Sequence, residues 1–320
     1  MDVFRGSESI DPALREPVVA IGNFDGVHVG HQALVALARE RAGARSGTVV
    51  VLTFDPHPAK VLAPKLAPPL ITPLSRKLEL LAAAGVDACL IVPFTPALAA
   101  SSAPDFVDHI LCEELRAREV VVGHDFTYGA GRLGTVDTLR AQGAKRGISV
   151  SVIPAITMGG LVASSTKVRE LALEGNVEGV RLLLGRELDL DGLVVRGAAR
   201  GRTLGFPTAN IAHDNELVPK PGVYVGHATV LSRGERFGAA INLGSSPTFQ
   251  TTGTAALEAH ILDFEGDLYD ERLRIEFHGR LRGERRFSSP AALAEQIRLD
   301  TATARAQLAD AAEPRKDLLS

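Results

Sequence analysis

Two histidines stand three residues apart in the glycine-rich segment GNFDGVHVGH, at residues 22–31. An apolar run precedes this segment and a helical pattern follows it, which predicts a strand, a tight turn and the start of a helix. On that first helical turn His28 and His31 share one face, where free backbone N–H groups already attract phosphate. Two imidazoles there could stabilise the charge that develops on an α-phosphate during attack. A metal site or a plain surface turn is the alternative.

Three further segments follow the predicted strands of the same half of the chain. They are FDPHP at 54–58, GHDFTYGAG at 123–131 and SSTKVR at 164–169. Ligands of open α/β sheets bind at the carboxyl ends of the strands, so these segments are expected at one edge. The hydroxyls of Ser164 and Thr166 and the charge of Arg169 suit phosphate. Ordinary helix capping explains the hydroxyls equally well.

A second cluster, RGAARGRTLGFPTANI, spans residues 196–211. Its glycines and arginines combine flexible backbone amides with local positive charge, which suits the phosphates of ATP. The Thr208 hydroxyl and the Asn210 carbonyl are hard oxygen ligands of the kind that Mg²⁺ accepts. An Arg-rich surface loop leading into a strand is the alternative. Further on, strand alternation in ALEAHILDF places Glu258 on the face opposite Leu257. A carboxylate on that face could have a chemical role, but the same alternation is typical of a strand with one face exposed to solvent.

The elements that must position these groups differ between the two halves. In the first half, short β-branched runs alternate with helical patterns, which predicts an open α/β fold with a parallel sheet covered on both faces. The strands are expected at 17–22, 48–53, 88–93, 119–123 and 148–153, and the helices at 31–44, 75–84, 104–117, 135–146, 166–174 and 176–184. The Pro-rich segment 54–73 is expected to lack regular structure and to form a functional flap.

The pattern changes at GRELDLDG, residues 185–192, which is polar and bracketed by glycine. We therefore predict two domains, residues 1–186 and 187–320. No helix separates the strand-like runs of the second half, so it is expected to be an all-β barrel or sandwich. Its strands are expected at 192–196, 222–231, 236–243, 256–264 and 272–282. A terminal helix is expected from Pro290, with Ser289 as its cap.

Composition excludes several classes of function. The chain has 320 residues, 45% of them hydrophobic, and a formal net charge of −3. No bulk positive field attracts nucleic acid or anionic lipid, and no apolar run approaches the ~20 residues of a membrane span. The N-terminus lacks the apolar core of a signal peptide. With only Cys89 and Cys112, neither in a metal spacing, we expect free thiols and a cytoplasmic location.

The HxGH turn at a strand-to-helix junction resembles the HxGH nucleotidyltransferase superfamily. Together with FDPHP, VGHDFTYGAGRLG and SSTKVRELALEGNVE, it is similar to the FMN adenylyltransferase module of the bacterial bifunctional riboflavin kinase/FAD synthetase family. The stretch GRTLGFPTANI, followed by PKPGVYVG, INLGSSPTF and RLRGERRFSSPAALAEQIRLD, resembles the riboflavin kinase motif of that family. The resemblance implies a Rossmann-like domain followed by a small kinase barrel.

The resemblance also implies roles for particular residues. In the adenylyltransferase module it implies a catalytic pair, His28 and His31; an ATP site formed by Gly22, Asn23, Phe24, Gly30, Ser164, Thr166 and Arg169; and a flavin or nucleotide site formed by Phe54, Pro56, His57, Asp125 and Phe126. In the kinase module it implies Glu258 as general base, an ATP site formed by Gly197, Gly201, Arg202, Gly205 and Pro207, and Mg²⁺ ligands Thr208 and Asn210. Family members often carry a basic residue just before SST, where this chain has the apolar residues 161–163.

The function implied by the resemblance is the synthesis of flavin cofactors. ATP would phosphorylate riboflavin to FMN with release of ADP, and a second ATP would adenylylate FMN to FAD with release of pyrophosphate. Mg²⁺ would accompany ATP, and nucleic acid and membrane are not expected as partners. Two alternatives stay open: an adenylyltransferase whose second half only binds flavin, and a non-enzymatic flavin sensor. The sequence leaves open whether the chain forms a homo-oligomer.

Overall fold

The computed structural model describes residues 1–6, 14–197, 205–244 and 256–312. The chain divides into two compact units, Met1–Ser165 and Thr166–Ser320. The first unit is α/β, and the second combines two helices, a closed barrel and a terminal helix. The predicted fold class is therefore confirmed.

The first unit is built on a parallel sheet of six strands, in the order β1-β4-β3-β2-β5-β6. Their bounds are β1 Asp2–Arg5, β2 Val18–Ile21, β3 Val49–Asp55, β4 Ala88–Pro93, β5 Glu119–Gly123 and β6 Ser149–Ile153. The five predicted strands are present. The sixth, β1, lies at an edge, and its Val3 is 42% exposed, so its sequence lacks the continuous apolar run of the others.

Helices accompany this sheet at the four positions predicted within this unit, and two additional short helices were not predicted. They are α1 Val29–Gly43, α2 Pro58–Leu62, α3 Leu74–Ala83, α4 Pro96–Ala100, α5 Ala103–Asp105, which continues in π-helical geometry over Phe106–Glu114, and α6 Val136–Lys145. The two that were not predicted are α2 and α4. A small hairpin, β7 Thr157–Met158 and β8 Leu161–Val162, follows the sheet. The prediction of no regular structure over 54–73 was wrong at α2 and at a 3₁₀ helix, Pro64–Leu66. In both helices a proline occupies the first turn, where a missing N–H costs nothing.

The strand order creates a switch point beside β2. The chain moves from β2 to β3 on one side, and β5 pairs with β2 on the other. At such a point the loops that leave neighbouring strands diverge and open a crevice at the carboxyl edge. The histidine turn follows β2 and the GHDFTYGAG segment follows β5, so two of the predicted segments border this crevice.

Two helices, α7 Ser165–Glu174 and α8 Val177–Leu184, precede the barrel. Both belong to the second unit, except that Ser165, the first residue of α7, is the last residue of the first unit. Six antiparallel strands then close a barrel in the order β10-β13-β12-β11-β14-β9. Their bounds are β9 Leu188–Val195, β10 Ala209–His213, β11 Gly222–Val230, β12 Glu235–Gly244, β13 Ala256–Ile261 and β14 Arg272–Arg282. Of the barrel and the sandwich that were predicted, the structure is a barrel, and β10 is a strand outside the predicted runs.

Strand β9 starts four residues earlier than predicted, inside the segment that looked like a polar linker. Asp189 and Asp191 are only 2% and 8% exposed. Arg274 on β14 donates two hydrogen bonds of 2.7 Å to the Asp191 carboxylate. A buried carboxylate is tolerated when it is paired in this way, so this polar segment is an interior strand of the barrel.

The terminal helix, α9 Pro290–Ala312, starts as predicted. The Ala292 N–H donates to Ser289 Oγ at 3.2 Å, which confirms the cap. Among the helices of the described residues, none combines the length and the apolar character needed to cross a bilayer.

Candidate functional site

The turn after β2 has an unusual backbone that aims α1 at the carboxyl edge of the sheet. Phe24 and Val27 have positive φ angles of 50° and 42°, and Gly26 one of 83°. The buried Phe24 ring anchors the turn, since a Cβ at Gly22 would lie 3.3 Å from that ring. The Asp25 carboxylate accepts hydrogen bonds from two backbone N–H groups of the segment at 71–72. A surface turn would not be held by this many buried contacts.

His28 and His31 are stacked at the start of α1. Their ring centroids lie 3.7 Å apart and the rings are inclined by 21°. His28 is the N-cap, and its Nδ1 accepts the His31 backbone N–H at 3.4 Å. A Cβ at Gly30 would come within 3.0 Å of the His28 ring, so glycine leaves room for that ring. The predicted shared face of the two histidines is thus present.

The surroundings of His31 favour its neutral imidazole. Burial, followed by the neighbouring charges of His28 and Lys77, holds the pKa of His31 well below its ordinary value. Within the described part of the chain, His31 Nδ1 is buried and has no protein hydrogen-bond partner. A buried nitrogen without a partner is unusual, and His31 therefore has unused capacity to bind a ligand.

The other predicted residues of this unit occupy the same sheet edge in different ways. His57 caps α2, with Nδ1 accepting the Ala59 N–H at 3.2 Å, and Pro56 follows a cis peptide bond. Phe54 packs edge-on against Phe94. After β5, the Phe126 ring stacks 5.6 Å from that of Tyr128, and the Asp125 carboxylate lies close to Gly123, where a Cβ would be 3.1 Å away.

The SST segment straddles the division between the two units. Ser165 Oγ donates to the Asp25 carbonyl oxygen at 2.9 Å, which ties this segment to the histidine turn. Ser164 lies in the first unit, whereas Thr166 and the buried Arg169 belong to the second. Sequence analysis assigned phosphate contacts to Ser164 and Thr166 and did not anticipate that Ser165 fixes the turn.

Lys77 on α3 is a feature that sequence analysis missed. It is only 6% exposed, and its Nζ donates to the Asn23 carbonyl oxygen at 2.9 Å. The Thr53 hydroxyl donates to the same oxygen at 3.1 Å. A lysine in an amphipathic pattern is normally expected at the surface, so no sequence signal distinguished this one.

On the barrel, three polar side chains form one row across neighbouring strands. Glu258 on β13 lies opposite Asn210 on β10 and opposite Asn242 on β12. Directly opposed residues of antiparallel strands point to the same face, about 5 Å apart. Leu257 and Ala259 are buried in the barrel core while Glu258 is half-buried, which confirms the predicted alternation. Asn242 was not predicted, because its place beside Glu258 depends on the strand register.

Gly197, two residues beyond the end of β9, lies against the Asn210 side chain. A Cβ at Gly197 would lie 2.4 Å from the Asn210 side-chain amide. His260 lies two residues beyond Glu258 on the same face of β13. Its Nδ1 forms a hydrogen bond of 2.8 Å with the Pro207 carbonyl oxygen. Thr208 is half-buried next to this contact, and Gly205 has a φ of 83°. The predicted residues Gly201 and Arg202 lie outside the described residues.

The donor set around Asn210 fits a divalent cation. The Thr208 hydroxyl and the Asn210 amide carbonyl are neutral oxygen donors, and the Glu258 carboxylate is on the neighbouring strand. Hard ions such as Mg²⁺ are held by few protein oxygens because they keep several waters and bind substrate phosphates.

A second group of potential metal ligands lies elsewhere on the barrel. One ligand atom each from Glu187, His227 and Glu276 fall within 4.8 Å of one another. The Arg236 guanidinium donates to Glu276 at 2.9 Å and lies 2.9 Å from His227 Nδ1. The charge of the Arg236 guanidinium thus lies where a metal ion bound to these ligands would lie.

Both units therefore present groups suited to phosphate chemistry, and together the fold and the sites define a two-part nucleotide-dependent transferase. Two family models match the chain, that of FAD synthetase over residues 10–167 and that of riboflavin kinase over residues 184–308. The bifunctional riboflavin kinase/FMN adenylyltransferase of Pseudomonas fluorescens is 39% identical over 312 residues, which is 98% of this chain and 99% of the relative. The Escherichia coli K12 protein of the same name is 38% identical over 95% of this chain and 97% of its own length.

The chain accordingly belongs to the bifunctional riboflavin kinase/FMN adenylyltransferase family. Among solved structures, one described as a macrolide-efflux protein from Streptococcus pneumoniae has a TM-score of 0.86 and 29% identity. That similarity covers 95% of this chain and 99% of the other.

Proposed function

We propose that the barrel unit phosphorylates riboflavin to FMN and that the α/β unit converts FMN to FAD, each with its own ATP. The observation that carries this proposal is the presence in one chain of a histidine pair at a helix N-terminus and of Glu258 beside Asn210 on a barrel. The first arrangement suits adenylyl transfer and the second suits kinase chemistry. Family membership supports the same pair of activities.

In the kinase step, Glu258 takes the proton from the riboflavin 5′-hydroxyl, a role that requires hydrogen-bond reach. The hydroxyl oxygen attacks the γ-phosphorus, the bond to the β-phosphate oxygen breaks, and ADP leaves. Thr208 and Asn210 would hold the divalent cation, Mg²⁺ in this proposal, and the bound ion would supply positive charge to the transferring phosphoryl group. Gly197, Gly201, Arg202, Gly205 and Pro207 line the ATP phosphates.

In the adenylyl step, a phosphate oxygen of FMN attacks the α-phosphorus of ATP. The bond from that phosphorus to the β-phosphate oxygen breaks, FAD forms and pyrophosphate leaves. The FMN phosphate is already ionised at pH 7, so the protein's task is alignment and charge stabilisation. His28 and His31 stabilise the charge on the α-phosphate, which agrees with a site rich in donors and without a strong carboxylate base.

The remaining residues predicted for the adenylyltransferase part of the chain, residues 1–186, hold the two substrates. Gly22, Asn23, Phe24 and Gly30 let the backbone approach ATP, with Ser164, Thr166 and Arg169 on the phosphate side. Phe54, Pro56, His57, Asp125 and Phe126 form the flavin side. With no tryptophan in the chain, the isoalloxazine ring is held mainly by these aromatic and aliphatic walls and by backbone groups.

We propose residues 1–186 as the adenylyltransferase part and 187–320 as the kinase part. The compact units divide at Ser165 instead, and α8 packs on the barrel through Val177, which belongs to the barrel core. Residues 166–186 nevertheless carry Thr166 and Arg169, so a fragment 1–186 is expected to make FAD from FMN more efficiently than a fragment 1–165. Equal activity of the two folded fragments would move the functional boundary to Ser165.

A cytoplasmic location is part of the proposal. Both reactions consume ATP, and the cysteines Cys89 and Cys112 are free thiols, as is usual in a reducing compartment.

The direct test is incubation of the full chain with riboflavin, ATP and Mg²⁺, followed by chromatographic separation of the flavins. We expect FMN to appear first and FAD to follow. FAD formed from added FMN but not from riboflavin would indicate a single adenylyltransferase with a flavin-binding barrel. Flavin binding without either product would indicate a sensor, and both outcomes would contradict the proposal.

A further inference from the structure

Lys77 is a buried cation at the candidate adenylyl site. Lys77 lies on α3 and is 6% exposed, although a lysine side chain is rarely buried unless its charge is compensated. The ammonium group must therefore gain more from its surroundings than it loses in hydration, and the identity of those surroundings indicates what it does.

The direct contact of Lys77 is with the histidine turn. Nζ donates to the Asn23 carbonyl oxygen at 2.9 Å, and Thr53 Oγ1 donates to the same oxygen at 3.1 Å. This carbonyl belongs to the peptide that leads into Phe24, whose φ of 50° is unfavourable for a residue with a side chain. Two donors on one carbonyl oxygen fix the orientation of that peptide just before the turn.

Charged and titratable groups surround the ammonium from several elements. Burial lowers the pKa of Lys77, whereas Asp25 in the turn, Cys89 on β4 and Asp55 at the end of β3 raise it, and the net direction is downward. The positive charge of Lys77 also lowers the pKa of His31, together with burial and His28. The lysine therefore influences both the backbone of the turn and the protonation of a histidine on it.

We propose that Lys77 is a positioning residue for adenylyl transfer, which holds the Asn23 carbonyl and so keeps the turn that carries His28 and His31 in the geometry required by the ATP phosphates. This inference rests on the proposed adenylyltransferase function of the α/β unit. Lys77 makes no contact with the reacting atoms in this account; it acts through Asn23 and His31. A residue that only filled space at this position would need no charge.

The test compares two substitutions of Lys77 with two controls in the full chain. Lys77→Met removes the donor and the charge, and Lys77→Gln keeps a donor without the charge. Thr53→Val removes the other donor to the Asn23 oxygen, and Lys145→Met removes the charge of an exposed lysine on α6. Adenylylation is measured with added FMN as kcat, as KM for ATP and as a pH profile. Phosphorylation of riboflavin by the same preparation reports on the integrity of the chain.

For Lys77→Met we expect adenylylation kcat to fall at least about tenfold, the scale of a lost hydrogen bond to a charged group. The acid limb of the pH profile should move to higher pH in both Lys77 variants, because His31 loses a neighbouring positive charge. Lys77→Gln should have a higher adenylylation kcat than Lys77→Met, but the acid limb of its pH profile should not return to the wild-type position. Thr53→Val and Lys145→Met should leave the limb in place, and the kinase rate should not change in any variant.

Adenylylation kcat within twofold of wild type in Lys77→Met would overturn the proposal, as would an unmoved acid limb in both Lys77 variants. If Lys77→Met does not fold, Lys77→Gln decides on the same two readouts. If the wild-type chain itself forms no FAD from FMN, the proposed function fails and this inference falls with it. If the wild type forms FAD and the Lys77 variants match it, only the inference fails.

Discussion

The substitution Gly197→Ala probes the kinase site without removing any group from it. Gly197 lies two residues beyond the end of β9, and a methyl carbon there would lie 2.4 Å from Cγ and Nδ2 of Asn210 and 2.5 Å from its Oδ1. Ordinary van der Waals contact begins near 3.4 Å. The Asn210 amide must therefore move by about 1 Å, and with it the carbonyl oxygen that we assign to the metal.

The size of the effect follows from that displacement. A misplacement of about 1 Å in a reacting or ligating group costs on the order of 100-fold in rate. The clash is with a side chain that can rotate away, so the free energy of unfolding should change by only about 1 kcal/mol or less. We expect a folded chain whose riboflavin phosphorylation falls about 100-fold, while adenylylation of added FMN keeps its wild-type rate.

Initial rates of both reactions and a thermal melt are measured on the same preparation. Gly283→Ala is the matched control, because among the described residues the one atom within 4 Å of a Cβ there is Arg280 Nη2, at 3.8 Å. Phosphorylation within threefold of wild type in Gly197→Ala, with an unchanged Tm, would show that the position of the Asn210 amide does not matter for the reaction. The assignment of Asn210 as a metal ligand would then be refuted.

Three further predictions concern single side chains. His28→Ala should abolish FAD formation from FMN and spare FMN formation from riboflavin; equal loss of both rates would contradict separate sites. Glu258→Gln should do the reverse, and retained phosphorylation in that variant would remove Glu258 as the base. Burial raises the pKa of Glu187, but hydrogen bonds and charges of His227 and His278 outweigh burial and lower it from 4.5 to about 2. The barrel should therefore hold this stabilisation above pH 4.5 and lose on the order of 3 kcal/mol as the pH falls toward 2, a dependence that urea titrations should find reduced in Glu187→Gln.

The elements of the α/β unit were predictable because their signals are local. Strands β2 to β6 are continuous apolar runs, and the histidine turn combines glycines with a strand and a helix at fixed spacing. Strand β1 was missed because it lies at an edge of the sheet, where its one neighbour among the described strands is β4, and because it is largely exposed. A four-residue segment of that kind has no periodicity to detect.

The features that sequence could not reveal depend on partners distant along the chain. Asp191 looks like a linker residue until Arg274, 83 residues later, is placed beside it. Lys77 looks like a surface lysine until the Asn23 carbonyl, 54 residues earlier, is found at its Nζ. The position of Asn242 beside Glu258 could not be predicted without the register of β12 against β13. A shift of one residue would turn the Asn242 side chain to the other face of the sheet.

The central claim, two successive transfers from two ATP molecules in one chain, is tested most directly by isotope tracing. Riboflavin and Mg²⁺ are incubated with ATP labelled with ³²P either at the α- or at the γ-phosphorus, and the products are separated. We expect the γ-label to enter FMN, the α-label to enter FAD but not FMN, and pyrophosphate to carry γ-label only. The α-label in FMN, or FAD that gains no α-label, would contradict the claim.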